Sequence, residues 1–447
     1  MSAPRVLVVG GGLAGLVAGQ ALLRAGLEPL VLEADPEPGG KLHTLRDEGW
    51  LVERGPQTWL GEEGDALTRA IDTAGLRSQV LPAAAAARRR LVLRRGRLCA
   101  VPRELHRALS PEGLLRALAE PFVPRRRRGP PESVFAFARR RFGSEVARVL
   151  VDALVTGIWA GDPTRLELMS ALPRLWRLEQ EHGGVVRGLL RGGLRPRKPA
   201  GFREGMGQLA AGLAALLGPR LRLGAPVSGL VPPGTDSGLW TAVAGGAEHA
   251  GRALVLAAPP WEAAPLLTPH APALAAELAA IPVAPVAAVA LGWPASAFAR
   301  GAPEGFGFLV PHLERRLALG CIFVSSLFPA AAPPGRVLLR VLVGGRRRPD
   351  LVTWPAARLI AGVRAELEEL LHVRGEPELA RVIALPRAIP QYELGHAARL
   401  GRIEALRAAL PRLHLTGNGY RGVALGEVAA DAERVALRVA AACGASG

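Results

Sequence analysis

The feature that most constrains the fold is Gly10-Gly11-Gly12-Leu13-Ala14-Gly15, set between the apolar run Arg5–Val9 and a stretch carrying Ala18, Leu22 and Leu23. A buried strand that runs into G-x-G-x-x-G and then into a helix is the first half of a βαβ unit. Pro29 to Leu32 supplies the second strand, which ends at Glu33. Each glycine has its own task. Gly10 permits the tight turn, Gly12 lets a pyrophosphate approach the backbone at the helix N-terminus, and Gly15 allows helix and strand to pack closely. Glu33 stands about 20 residues on, where its carboxylate can accept hydrogen bonds from both hydroxyls of an adenosine ribose and disfavours a 2′-phosphate. The motif leaves NAD and FAD open, because both present the same pyrophosphate.

A chain of 447 residues is long enough for two or three domains around a cleft. With 49% hydrophobic and 21% charged residues, 54 Gly and 39 Pro, it is globular and rich in turns, which excludes disordered and fibrous classes. Cys99, Cys321 and Cys443 are far apart and form no C-x-x-C pair, so a disulfide framework, a zinc site and a dithiol centre are not expected. Met1 to Arg5 lead straight into the strand without the pattern of an export signal, and a cytoplasmic location is expected. The uncharged stretch Leu278 to Ala299 is interrupted by Pro282, Pro285 and Pro294, which suits a buried strand and not a spanning helix. The formal charge of +17 draws the chain toward anionic surfaces or substrates, with solvated arginine as the plain alternative. No nucleic-acid module is present and only 4% of residues are aromatic, so nucleic acid is not an expected partner.

The pattern predicts an α/β chain. Residues 1–86, 200–259 and 386–447 are expected to build one Rossmann-like domain. Residues 87–199, where Leu- and Ala-rich helices alternate with arginine clusters, form an inserted helical domain. Residues 260–385 form a mixed-sheet substrate domain. The clusters Arg125 to Arg128 and Arg195 to Lys198 would suit a helical domain resting on anionic lipid, each cation near such a surface adding about 1 kcal/mol.

The nucleotide motif continues into Pro38-Gly39-Gly40-Lys41-x-x-Thr44 and Glu53-Arg54-Gly55-Pro56, and this resembles the FAD-containing amine oxidase superfamily. Further blocks resemble its porphyrinogen-oxidising branch: Val155-Thr156-Gly157-Ile158-Trp159-Ala160-Gly161-Asp162-Pro163, Gly305 to Pro311, Ala388 to His396, and Leu415 to Val423. The resemblance implies non-covalent FAD. Its implied contacts are Gly10, Gly11, Gly12, Leu13, Ala14, Gly15, Glu33 and Ala34 for the adenosine diphosphate. Gly39, Gly40, Lys41, Thr44, Gly55, Pro56, Gln57 and Thr58 follow in the flavin half, with Val227 from a later strand. Gly417, Asn418, Gly422, Val423, Ala424 and Leu425 make up the second flavin stretch. Two departures stand out: Ala424-Leu425-Gly426-Glu427 replaces the usual Gly-Ile and polar pair, and Leu385 occupies a position where Trp is common.

The resemblance also implies the reaction, oxidation of protoporphyrinogen IX to protoporphyrin IX in three flavin cycles, with O2 as acceptor and H2O2 released. Coproporphyrinogen III is the alternative within the class. Amine or carotenoid-precursor oxidation, and a flavin- or lipid-binding protein without turnover, are the alternatives outside it. No Ser-His-Asp order, metal-spaced cluster or P-loop is present, so no protein side chain is assigned a catalytic role and flavin N5 carries the chemistry. Propionates need a guanidinium. The family places one at the head of a strand, which counts to Arg90, with Arg88, Arg89, Arg94 and Arg95 within reach of a register slip. Gly157 and Gly161 are expected to let the backbone approach the macrocycle. His396 and Tyr392 are expected to have structural roles. Peripheral association with the inner face of the cell membrane, ferrochelatase, and a second copy of the chain complete the expected partners.

Overall fold

The protein is described by a computed structural model covering residues 5–126, 129–192, 198–234 and 238–444. Met1 to Pro4, Arg127, Arg128 and residues 195 to 197 of the basic clusters lie outside the described residues. β1 (Arg5–Val9), α1 (Leu13–Arg24) and β2 (Glu28–Leu32) form the expected βαβ unit. They sit in a five-stranded parallel sheet in the order Leu221–Arg222, β2, β1, Ala253–Leu256, Leu413–Leu415. Such a sheet is buried on both faces, which is why its strands are continuously apolar. On one face α1 packs with the helices Gly207–Leu217 and Leu425–Ala442. The other face is covered by Trp240, Leu267, Leu274 and Ile403.

The second layer is a mixed seven-stranded sheet. Its order is Leu379–Pro390, Val283–Pro294, Arg336–Gly344, Ala318–Phe323, Gly307–Leu309, Arg90–Arg94, Arg97–Val101, and only the pair Gly307–Leu309 with Arg90–Arg94 is parallel. The strand Val283–Pro294 occupies the heart of the uncharged stretch, with Val289, Leu291 and Trp293 buried under the helix Ala356–Leu371. Two expected boundaries are corrected. Residues 90–101 are strands of this sheet and not the start of the helical insertion at 87, because Leu91 and Leu93 bury against Phe308 and Leu339. The boundary at 385/386 falls inside the strand Leu379–Pro390, which pairs with Val283–Pro294 along most of its length.

Helices between Leu105 and Leu190 close over one end of this sheet. At their centre lies Arg141, fully buried. Its Nε donates to Glu120 Oε1 at 2.7 Å, and its Nη1 donates to Val123 O at 2.9 Å and to Glu179 Oε1 at 3.3 Å. Glu120 also accepts from Val185 N and Val186 N, at 2.8 and 3.0 Å, so one ion pair ties the turn Glu120–Phe122 to two helices. Removing one partner strands an uncompensated buried charge. Arg141→Met is therefore expected to lower unfolding stability by about 3–5 kcal/mol in a denaturant titration, and Arg141→Met with Glu120→Gln by less than the single change.

Candidate functional site

At Gly10 φ is +104° and a Cβ would lie 2.9 Å from Ala258 N. At Gly15 a Cβ would lie 1.8 Å from Gly10 O, so helix and strand touch backbone to backbone. Gly12 is different: no atom lies within 4 Å of where its Cβ would be. The helix that begins there, with Leu13 and Ala14 buried in its first turn, has no side-chain cap and no acid in that turn. Its unpaired N–H groups and positive dipole end are uncommitted, which is what a pyrophosphate needs. Glu33 is buried; its carboxylate accepts from Gly11 N and, at 2.9 Å, from Asp35 N, while Ala34 is exposed. Glu33 N donates to Arg222 O at 2.9 Å and Ala225 N to Glu33 O at 2.8 Å, which brings Val227 close to the acid. The cradle thus fits the adenosine diphosphate of FAD.

The next loop lies on the first. Gly39 N donates to Gly11 O at 2.8 Å, Gly39 bridges Gly12, and a Cβ on Gly40 would sit 3.6 Å from Gly12 Cα. Lys41 Nζ donates to Ala388 O and lies 5.4 Å over the Trp261 ring. Burial, with Arg54 nearby, brings its ammonium pKa down to about 8. Gly55 packs on Lys41, with no room for a Cβ. Thr44 Oγ1 donates to Glu53 Oε2 at 2.8 Å and accepts from Gly207 N at 2.9 Å. Pro56 and Thr58 are half-buried and Gln57 is buried. Arg340, buried in the centre of the seven-stranded sheet, donates to Gly55 O at 2.7 Å and so ties that sheet to the loop from Gly55 to Thr58.

The C-terminal stretch is clamped by side chains. Gly417 and Gly422 have φ of +120° and +118°; between them, the Tyr392 hydroxyl donates to Asn418 O at 2.7 Å and accepts from Gly422 N at 2.8 Å. Tyr392 is buried, with His396 stacked on it at 4.0 Å and His396 Nε2 3.1 Å from Tyr420 O. Burial lowers the imidazole pKa. Both residues therefore have the structural roles expected of them. Val423 packs near Tyr392, and Ala424 precedes the helix whose first residue is Leu425. The departure at 424–427 has a local reason: Glu427 accepts from Ala424 N at 3.2 Å and closes the helix start.

One face of the seven-stranded sheet turns toward these loops. Its register aligns Arg381, Ala290, Arg340, Ile322, Gly307 and Arg90 in one transverse row, and Ile383, Ala288, Leu342, Gly320 and Leu309 in the next. Residues paired across a sheet share a face, so Ile383, Leu342, Leu309 and Ile322 stand on one face, a floor, among small Gly and Ala, with Arg381, Arg340 and Arg90 in the first row. Ile322, Leu342, Leu309 and Ile383 are half-buried, as is Leu385 at the position of the other sequence departure. Arg90 stands at the floor's edge, exposed, 5.5 Å over Phe306. Among the described residues no carboxylate lies within 4 Å of the Arg88, Arg89 or Arg90 guanidinium groups.

The expected backbone glycines lie beside the floor. A Cβ on Gly157 would meet Leu309 Cδ2 at 2.5 Å, and one on Gly161 would meet Gln391 Oε1 at 2.5 Å, so packing accounts for both glycines. Beyond Gly161 a shallow cleft of about 40 Å³, lined by Thr156, Val310 and Arg347 among others, opens at the strand ends. Its arginines are already paired: Arg316 with Glu369, Arg347 with Asp152 and Asp162, and Arg348 with Asp350. Sequence reasoning missed Arg340; a lone arginine inside an apolar strand was the available signal for it.

Because Gly12 is open to solvent and not to protein, Gly12→Val is expected to leave the thermal midpoint of the flavin-free protein within a few degrees of the parent. FAD binding, measured by flavin absorbance per chain, is expected to weaken at least about a hundredfold.

A family model for flavin containing amine oxidoreductase matches residues 13–440. The protoporphyrinogen oxidase of rice chloroplasts, from Oryza sativa subsp. japonica, is 32% identical over 94% of this chain and 85% of its own length. The coproporphyrinogen III oxidase of Bacillus subtilis is 29% identical over 94% of each chain. A crystal structure from Exiguobacterium has the same fold, with a TM-score of 0.84 and 24% identity over 99% of this chain and all of that one. Cyclohexylamine oxidase from Brevibacterium oxydans shares it with a TM-score of 0.72 and 18% identity over 98% of this chain and 99% of that one. The chain belongs to the flavin-containing amine oxidoreductase family, and its cofactor is FAD.

Proposed function

We propose that the protein oxidises protoporphyrinogen IX to protoporphyrin IX on FAD, with dioxygen as the final acceptor and hydrogen peroxide as its product. The observation that carries this reading is the floor bearing Leu and Ile with Arg90 at its edge, facing the flavin loops across Arg340 and Lys41. A porphyrinogen is a broad apolar ring with carboxylates on its rim. Leu309, Ile322, Leu342, Ile383 and Leu385 support the ring and exclude water from it, and Arg90 fixes its orientation by pairing with a propionate. FAD held by the two glycine loops would supply the hydride acceptor for the carbon bridge between pyrroles. Gly157 and Gly161 shape the slot wall by letting the helix Asp152–Trp159 close on Leu309 and its following turn close on Gln391.

Protoporphyrinogen IX is favoured over coproporphyrinogen III by the distribution of charge. Arg88 and Arg90 form no ion pair within 4 Å among the described residues, and Arg89 is only within the field of Glu104, whereas the arginines of the cleft beyond Gly161 are paired directly. Two propionates on one edge suit this better than four around the ring.

The protein is further proposed to work at an anionic membrane surface. No helix of the described residues is long and apolar enough to cross a membrane. Support comes from Phe122, Leu118 and Leu190, which are 84%, 74% and 83% exposed. Val185 N donates to Glu120 Oε1, so the helix bearing Leu190 abuts the turn bearing Phe122, with Arg125 and Arg126 following. Exposed apolar side chains beside cations suit a lipid interface.

The test is an aerobic assay of the FAD-loaded protein with protoporphyrinogen IX and coproporphyrinogen III side by side, read as porphyrin fluorescence above the autoxidation blank. A higher kcat/KM for protoporphyrinogen IX is expected; a preference for coproporphyrinogen III reverses the substrate assignment, and activity on neither moves the search to amines and polyenes. Arg90→Ala is expected to lower kcat/KM about 10- to 100-fold, mainly through KM, as loss of a charged hydrogen bond does. The combined change Leu118→Ser, Phe122→Ser and Leu190→Ser is expected to abolish co-sedimentation with phosphatidylglycerol vesicles while flavin content stays unchanged.

A further inference from the structure

We infer that Glu53 is a proton site linked to flavin reduction, held in place by Thr44 and Arg340 and reached from solvent through its own small cleft. Glu53 is buried directly behind the two loops that hold the flavin half, those carrying Lys41 to Thr44 and Gly55 to Thr58. Its carboxylate accepts from Thr44 Oγ1 and Met206 N, both at 2.8 Å, so it joins the flavin loop to the start of the helix Gly207–Leu217. Arg340 approaches from the substrate sheet, bonded to Gly55 O two residues away, and is the charged group nearest in kind to a partner. Arg46 on the same hairpin adds a weaker field.

A small cleft of about 20 Å³, room for about one water, reaches this acid. It is lined by buried Glu53 and Gln57, by Phe202 and Phe328, and by Arg203, which is exposed to solvent. Gln57 Oε1 is buried with no partner among the described residues, and so is Arg340 Nε. Buried polar atoms beside a cleft are satisfied by water, and a water-bearing cleft between a buried carboxyl and the surface is a path for protons. Burial raises the Glu53 carboxyl pKa to about 7, against the lowering effects of its hydrogen bonds and Arg340. Added negative charge nearby raises it further.

The proton balance gives the site its role. Accepting a hydride brings the flavin two electrons and one proton and leaves one negative charge on its ring. The Glu53 carboxylate then takes up one proton from solvent, forming a neutral carboxyl and offsetting that charge. When dioxygen removes two electrons as hydrogen peroxide it needs two protons; the flavin returns one and Glu53 the other, restoring both to their starting states.

This inference rests on the assignment of FAD to these loops and not on the porphyrinogen reading, and its test needs no substrate. The reduction potential of the bound flavin is titrated anaerobically against redox dyes from about pH 6 to about pH 9. The expected slope is two protons per two electrons in a window above neutrality, falling to one per two electrons in Glu53→Gln at unchanged flavin content. Arg340→Met removes the cation that favours ionised Glu53 and is expected to move the two-proton window to higher pH. A wild-type slope of one proton per two electrons throughout overturns the proposal, whatever the variants do. An unchanged two-proton slope in Glu53→Gln overturns it as well.

Discussion

The contact between α1 and β1 at Gly15 and Gly10 governs everything else. Only with two glycines there can the helix come within backbone contact of the strand that feeds it, and only then does its first turn open onto Gly12 with its N–H groups unspent. The Gly39–Gly40 loop is folded onto that turn, Gly55 onto Lys41, and Arg340 onto Gly55. The seven-stranded sheet is therefore registered to the Gly10–Gly15 turn through a short series of contacts, backbone on backbone until the Arg340 side chain closes it. A shift at the first contact would be passed to the last, because packed backbone leaves little space to absorb it.

Local chemistry is what the sequence displays best. The βαβ unit, the position of Glu33 and the break of the uncharged stretch by three prolines depend on neighbours within a few dozen residues, and each is where the pattern puts it. The placement of residues 90–101 was harder to read, since arginines at both ends of two short strands look like the charged flanks of helices until Gly307–Leu309 is known to lie beside them. Arg340 was overlooked among 56 basic residues, although its setting inside the apolar strand Arg336–Gly344 was the signal that it is buried. Gly157 and Gly161 were legible as glycines in a tight place, but their neighbours, Leu309 in a strand and Gln391 just past one, lie more than a hundred residues away in the chain.

The net charge has a similar lesson. A surplus of cations read from composition gives the sign of the field but not its shape. In the folded chain many arginines are spent on internal pairs, some completely buried, as at Arg141, and some at the surface, where each contributes little to stability. Charge that is not held in a close ion pair, as at Arg88 and Arg90, matters more for an anionic ligand than the total.

The parallel sheet that carries FAD draws its strands from three distant parts of the chain: residues 5–32, 221–256 and 413–415. Contacts of such long sequence separation form late, because the loop-closure entropy must be met before they give anything back. During synthesis the turn at Gly10–Gly15 emerges long before the strand Leu413–Leu415 and the glycines Gly417 and Gly422 that follow it. A chain grown only past the first of these presents one half of the proposed cofactor site without the other, so the parallel sheet can be completed only after that late strand has been made.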